Sequence, residues 1–399
     1  MIPVFIWVAI AARVGWAVLV SVDPVSDSLA YKTFATSIAN GAGYAYPSGE
    51  LTVYWPVGAS AFYALVHYML GHSSFPLLFV NILIGTGIVY LSYLLSLRYF
   101  GGKVAVYAGW LVALWPVLIQ FTTVYSSELL FMLLLLATLH VWSSSLTSKV
   151  LKACLWGALL CAATYVRPTA LPLFILLPVL ELWAKRDFRQ FLTSGLVAAL
   201  TATVLFAPWV ARNQANFGHP VLVSANFGCN LWMGNNPQSK GEYMPLPDTK
   251  FANEVARDQH FKQLAVDFIR DHPGQYIKLA LRRILLTYDR ETIGVAWNQP
   301  ALARLVGEGA IPSVKLVSTL YWWLVSLLAV AGIAQALKAR KVTIFNPLLV
   351  VSACFFMVPI LTVGQDRYHL PLDPLIAAFA AYTIHQLLQL ARKTQHEPR

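Results

Sequence analysis

Asp27 is the first residue that could do chemistry. It lies in a stretch, residues 22–56, that sits between apolar segments yet holds Asp23, Asp27 and Glu50 against a single lysine, Lys32. The same stretch is aromatic, with Tyr31, Phe34, Tyr44, Tyr46, Tyr54 and Trp55. A carboxylate can orient and deprotonate a hydroxyl that attacks an activated carbon. Glu128, Arg167 and Arg367 fall at the ends of later apolar runs, and arginines can hold a departing phosphate through charge-assisted, bidentate contacts. Each also has a plainer reading. Asp27 and Glu128 sit where a carboxylate favours a helix start, Arg167 can snorkel to the interface, and Arg367 with Tyr368 can anchor there.

The elements that must position these side chains are membrane spans. The 399-residue chain is 58% hydrophobic and 12% charged, where a soluble chain carries about 25% charge. That pattern reads as an integral membrane protein. A net charge of +11 invites a nucleic-acid reading, but lysine and arginine gather in short turns between apolar runs, as membrane topology requires. No nucleic-acid partner is predicted. Cys154, Cys161 and Cys354 fall inside predicted spans and Cys229 is alone in its loop, so no disulfide is predicted.

Ten apolar stretches read as spans: 2–22, 77–97, 104–121, 129–142, 155–166, 171–183, 191–210, 314–337, 344–363 and 370–390. The first lacks a basic n-region and carries Arg13 in its middle, so it reads as a span rather than a cleaved signal. Arg13 should face the bundle interior and pair there. Residues 57–70 are too short to span easily and suit a juxtamembrane or re-entrant helix. Residues 211–312 differ in character, with more charge and the turn signal Gly234-Asn235-Asn236-Pro237. Within them, 251–271 reads as an amphipathic helix broken at His272-Pro273. Residues 276–288 read as a second helix with Lys278, Arg282 and Arg283 on one side, suited to lipid headgroups or to plain solvation. The expected division is 1–210, a transmembrane catalytic block with its outer loop at 23–56; 211–312, an extracytoplasmic segment with juxtamembrane helices; and 313–399, the last spans.

Basic residues decide orientation. The turns at Arg98/Lys103, Lys149/Lys152, Lys185/Arg186/Arg189 and Lys338/Arg340/Lys341, and the tail with Arg392, Lys393 and Arg399, share one side. By the positive-inside rule that side is cytoplasmic. The other side collects the 22–56 loop, Glu128, Arg167, the long segment and Arg367. No Gly-rich phosphate loop, paired-cysteine motif or H-E-x-x-H is present. Nucleotide donors are scarce outside the cytoplasm, so a lipid-linked phosphate donor entering from the bilayer fits better. A cation held by Asp27, Glu128 and a histidine has no ligand spacing behind it; no cofactor is predicted, and a divalent cation is left open.

The motifs then resemble a known family. Asp27-Ser-Leu-Ala-Tyr31, Ile38-Ala-Asn-Gly41-Ala-Gly43-Tyr44 and Tyr54-Trp55-Pro56-Val57-Gly58 are similar to the opening loop of family 39-like polyprenyl-phosphate-sugar glycosyltransferases of the GT-C superfamily. Those include protein mannosyltransferases, lipid A aminoarabinose transferases and lipopolysaccharide-core enzymes. The family's Pro-Pro-Gly-Tyr-Pro-like segment is replaced here by Trp55-Pro56-Val57-Gly58-Ala59-Ser60. Further along, Tyr165-Val166-Arg167-Pro168, Arg212-Asn213, Asn230-Leu231-Trp232, Asp271-His272-Pro273-Gly274 and Arg367-Tyr368-His369-Leu370-Pro371 resemble later family elements.

The resemblance implies an all-α polytopic membrane protein, a GT-C-like bundle of about ten transmembrane helices with juxtamembrane helices and one extracytoplasmic segment. It implies a glycosyltransferase that moves a sugar from a polyprenyl-phosphate donor to a hydroxyl on a lipid, glycan or protein acceptor, with inversion. Asp27 would be the catalytic carboxylate, Arg167 and Arg367 the candidates for the lipid phosphate, and Glu128 a secondary carboxylate. Tyr31 and Tyr368 join them as candidate substrate-binding residues. A bacterial inner membrane is the expected location, with the active site on its periplasmic face. The competing class is a transporter or flippase for a lipid-linked or amphipathic substrate, which would want midplane ionisable residues and internal repeats. The polar residues gather at one face instead.

Overall fold

The computed structural model describes residues 2–396; Arg399, counted above in the tail, lies outside them. Among the described residues the only β pairing is one bridge, Ala45 to Leu51, inside the first loop. All else is helix and connection, and every apolar stretch named above becomes helical. The chain opens with α1 (Val4–Leu19), α2 (Ser26–Ala39), α3 (Val57–Leu70), α4 (Ser74–Phe100), α5 (Gly102–Ala113) and α6 (Pro116–Gln120). It continues through α7 (Glu128–Trp142), α8 (Lys149–Val166), α9 (Leu173–Lys185) and α10 (Phe188–Phe217). The outer segment holds α11 (Phe227–Gly234), α12 (Glu254–Asp271), α13 (Pro273–Tyr288), α14 (Ile293–Trp297) and α15 (Gln299–Val306). The chain closes with α16 (Ile311–Lys338), α17 (Pro347–Phe356), α18 (Val358–Leu361) and α19 (Asp373–His396).

Six of these stretches are long and apolar enough to cross a bilayer; they contain α4, α8, α9, α10, α16 and α19. A seventh is α5 with the α6 stretch, bent by 54°. Pro116 explains the bend: it cannot donate to the preceding turn, and it holds Trp115 in extended backbone. Four further apolar helices or helix pairs, α1, α3, α7 and α17–α18, are shorter; together these elements make an all-α polytopic membrane fold. Lipid offers little hydrophobic drive for helix pairing, so small residues allow close approach instead. Gly157 of α8 lies against the backbone of Ala198 in α10, and Gly332 of α16 lies against the Phe379 carbonyl of α19.

The two ends of the bundle differ in chemistry. At one end Glu181 accepts from Lys185 at 2.9 Å and Gln190 at 2.6 Å, with Lys152 at 3.6 Å. That end carries the basic turns. The other end carries α2, α3 and the outer segment.

Arg13 is fully buried, as expected, and pairs there with the carbonyls of Ala9 at 3.1 Å and Ala113 at 3.4 Å. Glycine at position 85 makes room for its guanidinium. Other expectations need correction. Arg283 does not face headgroups. It is buried and ties α13 to Gly234, Asn235, Pro359 and Ile360, donating to Pro359 O at 2.9 Å and Asn235 Oδ1 at 3.0 Å. Lys278 and Arg282 remain exposed beside Ile277, Leu281 and Leu285, which preserves an amphipathic outer face on α13. Arg212 and Asn213 lie on the last turns of α10 rather than in a loop beyond it.

Candidate active site

Local sequence places most candidate side chains near helix ends or in the turns between helices. Asp27 occupies the first turn of α2, where a carboxylate meets the positive end of the helix. Tyr31 follows one turn later on the same face. Gly41 and Gly43 both adopt positive φ beyond α2, a conformation that glycine takes without strain. They turn the chain back so that Ser37 Oγ donates to the Gly43 carbonyl at 2.9 Å. Pro168 forces Arg167 into extended backbone (φ −146°, ψ 116°) and ends α8 there. Arg367 sits in a 3₁₀ turn, Asp366–Tyr368, between α18 and α19.

Tertiary packing brings all six candidates into one cluster. Arg367 Nη1 donates to Asp27 Oδ2 at 2.5 Å, across 340 residues of sequence. Arg367 Nε donates to Gln365 Oε1 at 2.7 Å. Its guanidinium also lies 5.5 Å from the ring centres of both Trp297 and Tyr368. Tyr368 meets the second arginine too, with Arg167 Cζ 5.8 Å from its ring centre. Arg167 Nη2 donates to Glu128 Oε1 at 3.1 Å, and the Ser127 hydroxyl donates to Glu128 Oε2 at 3.2 Å. Glu128 is buried; the side chains of Asp27 and Arg367 keep 25% and 15% of their surface exposed, so that face of the cluster stays accessible. Tyr31 is buried within the field of these groups. Burial, reinforced by the charges of Glu128 and Asp27, pushes its phenol well above the usual range and keeps it a neutral hydroxyl.

The first loop is gripped from the outer segment. Glu254, at the start of α12, accepts from Tyr46 Oη at 2.9 Å, Thr52 Oγ1 at 3.0 Å and Val53 N at 2.7 Å. Arg212 donates to the carbonyls of Thr52 at 2.9 Å and Tyr44 at 3.2 Å and stacks on Trp209. Arg257 lies 4.8 Å over the ring of Tyr54. None of Glu254, Arg257, Trp297 or Gln365 stood out in the sequence. Glu254 and Arg257 read there as ordinary charges on an amphipathic helix. Asp23, beside the cluster in sequence, instead pairs with Arg304 at the exposed surface.

The arrangement contains two arginines, each neutralised by one carboxylate and joined through one tyrosine ring. An anion entering the cluster can exchange with a carboxylate for either guanidinium, leaving that carboxylate free to accept a proton.

No protein-family model and no curated protein sequence matches this chain. Solved structures do. Over 99% of its length the chain is similar to the oligosaccharyltransferase AglB from Archaeoglobus fulgidus, in complex with an inhibitory peptide and a dolichol-phosphate, with a TM-score of 0.57 and 14% identity. Over 98% it is similar to ArnT from Cupriavidus metallidurans bound to undecaprenyl phosphate, with a TM-score of 0.60 and 12% identity. A further structure of the archaeal oligosaccharyltransferase, in complex with Zn and sulfate, matches with a TM-score of 0.58 and 14% identity. The chain covers 52% of AglB and 61% of ArnT, so it spans little more than half the length of these proteins. At such identities the likeness is one of fold.

Proposed function

We propose that this chain is a membrane glycosyltransferase that takes a sugar from a polyprenyl-phosphate donor and transfers it to an acceptor hydroxyl at the extracytoplasmic face, inverting the anomeric carbon. The observation that carries the reading is the meeting of Asp27 with Arg367 at 2.5 Å, on a face that also holds Arg167 and Glu128. The catalytic carboxylate and the phosphate ligand that the resemblance implied are direct neighbours.

In this mechanism the donor phosphate displaces the Asp27 carboxylate from Arg367. Arg367 and Arg167 then hold the phosphate as negative charge develops on the leaving group. Asp27, released, takes the proton of the acceptor hydroxyl as its oxygen attacks the anomeric carbon from the side opposite the phosphate. Tyr31 stays protonated and serves as a donor to substrate oxygens. An apolar cleft of about 630 Å³ between α16, α17 and α19 suits the polyprenyl tail. Its Trp322 wall stacks on His369 at 3.9 Å between ring centres, two residues from Arg367. Both AglB and ArnT have been captured with a polyprenyl-type phosphate, which supports the same donor class here. The basic turns at the opposite end of the bundle support an extracytoplasmic orientation for the cluster.

Asp27→Asn tests the assignment. The variant should insert and unfold like the parent protein while losing transfer from a polyprenyl-phosphate sugar. Full activity in Asp27→Asn would end the proposal.

A further inference from the structure

A second cluster lies behind the turn that carries Arg367. Glu291, His369 and Asp373 are all fully buried, and one ligand atom from each lies within 4.8 Å of the others. Among the described residues no lysine or arginine pairs with either carboxylate; the one ion-pair contact is His369 Nδ1 to Asp373 Oδ1 at 3.3 Å. Two acids buried together without a cation would be expensive to ionise.

The hydrogen bonds narrow the alternatives. His369 Nε2 lies 3.2 Å from the Arg290 carbonyl, which can only accept, so Nε2 carries a hydrogen. In the neutral ring Nδ1 then presents its lone pair toward Asp373. Glu291 Oε1 is held by Trp115 Nε1–H at 2.9 Å, whereas Glu291 Oε2 and Asp373 Oδ2 are buried with no partner at all. A proton on Glu291 Oε2 would itself lack an acceptor, so protonation does not satisfy the cluster. A divalent cation does. It balances two carboxylates around a neutral imidazole. The hydrogen bonds of the second nitrogen to a carbonyl and of Glu291 to an indole are those that orient metal ligands. Ligand atoms about a zinc or manganese ion, with bonds of about 2.0–2.2 Å, sit closer together than these do, and rotations of the three side chains bring them in. Asp373 can supply both oxygens to complete four ligands.

We propose that Glu291, His369 and Asp373 bind one divalent cation of the zinc or manganese class, at a structural site separate from the Asp27 cluster. Its role is to fasten the Arg290–Thr292 connection to the turn bearing Arg367. Thr292 already donates to Asp366 through its backbone nitrogen at 2.6 Å and its hydroxyl at 2.8 Å, so the ion completes a clasp between those two segments.

The test uses the full chain, purified in detergent without added metal, and does not depend on any transfer assay. Elemental analysis should find about one equivalent of zinc or manganese per chain. Stripping with a chelator should lower the thermal midpoint, followed by tryptophan fluorescence, by several degrees, and Zn²⁺ or Mn²⁺ should restore it where Mg²⁺ does not. His369→Gln and Asp373→Asn should lose most of the bound metal, whereas Asp27→Asn should keep it. If those variants fail to fold, stripping and reloading the parent protein still decides. Parent protein without stoichiometric metal and without a midpoint shift on adding either ion would overturn the site. So would loss of the metal in Asp27→Asn alone, which would put the ion at the reactive face.

Discussion

Replacing Arg367 with alanine removes a side chain that touches both Asp27 and the aromatic floor formed by Trp297 and Tyr368. Its guanidinium is pre-oriented by Gln365, so little rotamer freedom remains to be lost when a phosphate arrives. A hydrogen bond to a charged group contributes about 1.5–3 kcal/mol. At about 1.4 kcal/mol per factor of ten, the dissociation constant for a polyprenyl phosphate should rise roughly ten- to hundredfold. Stability should fall as well. The Asp27 side chain keeps 25% of its surface exposed, so water partly replaces the lost partner, and the cost should stay below the roughly 3–5 kcal/mol of breaking a fully buried pair. The decisive assay is affinity for undecaprenyl phosphate in detergent, which needs no knowledge of the sugar or the acceptor. Arg367→Lys should fall between the parent and Arg367→Ala, because the charge survives but the planar fork does not. Asp27→Asn carries the opposite sign: it removes the anion that competes for Arg367, so the lipid should bind at least as tightly while transfer is lost. Unchanged affinity in Arg367→Ala, or weakened affinity in Asp27→Asn, would refute the exchange of carboxylate for phosphate.

Three further outcomes are expected. Arg167→Ala leaves Glu128 buried with only the Ser127 hydroxyl, which should cost about 3–5 kcal/mol, and adding Glu128→Gln should recover much of it; strictly additive losses in thermal or denaturant unfolding would show the pair is uncoupled. Gly58→Ala would drive a methyl group into the Tyr165 carbonyl and the Val166 nitrogen, one residue from Arg167, so donor affinity should drop with little change in expression; normal affinity would mean that α3 does not set the end of α8. Glu254→Gln removes the charge that three groups of the first loop share and should make residues 44–53 more susceptible to limited proteolysis, with an unaltered cleavage pattern counting against the clamp.

Much of the fold was legible because its determinants are local. A run of apolar residues long enough for the bilayer must become helix, since lipid offers no other partner for its backbone. Pro168 announces its break for an equally local reason, and the basic turns sort the ends of the spans; the bend at Pro116 was missed, because 104–121 read as one apolar run. The candidate site was legible in part because chain ends of spans are where polar residues can survive, and because Asp27, Glu128, Arg167 and Arg367 all fell on one side of that count. Arg283 misled because a charge pattern on a helix does not say which neighbours will cover it; carbonyls at the end of α18 bury it. Trp297 and Glu254 gave no warning because their roles consist of contacts with residues far away in sequence.

The sequence by itself determined an all-α polytopic membrane protein and the chemical types of the candidate groups at the ends of its apolar runs. Only the tertiary structure decided that Arg367 faces Asp27, that Tyr368 lies against both arginines, and that Glu291 joins His369 and Asp373 in a buried cluster. Periodicity and charge act over a few residues and can be read along the chain. Pairings between groups hundreds of residues apart depend on how helices cross and pack, and are expressed only once the bundle has closed.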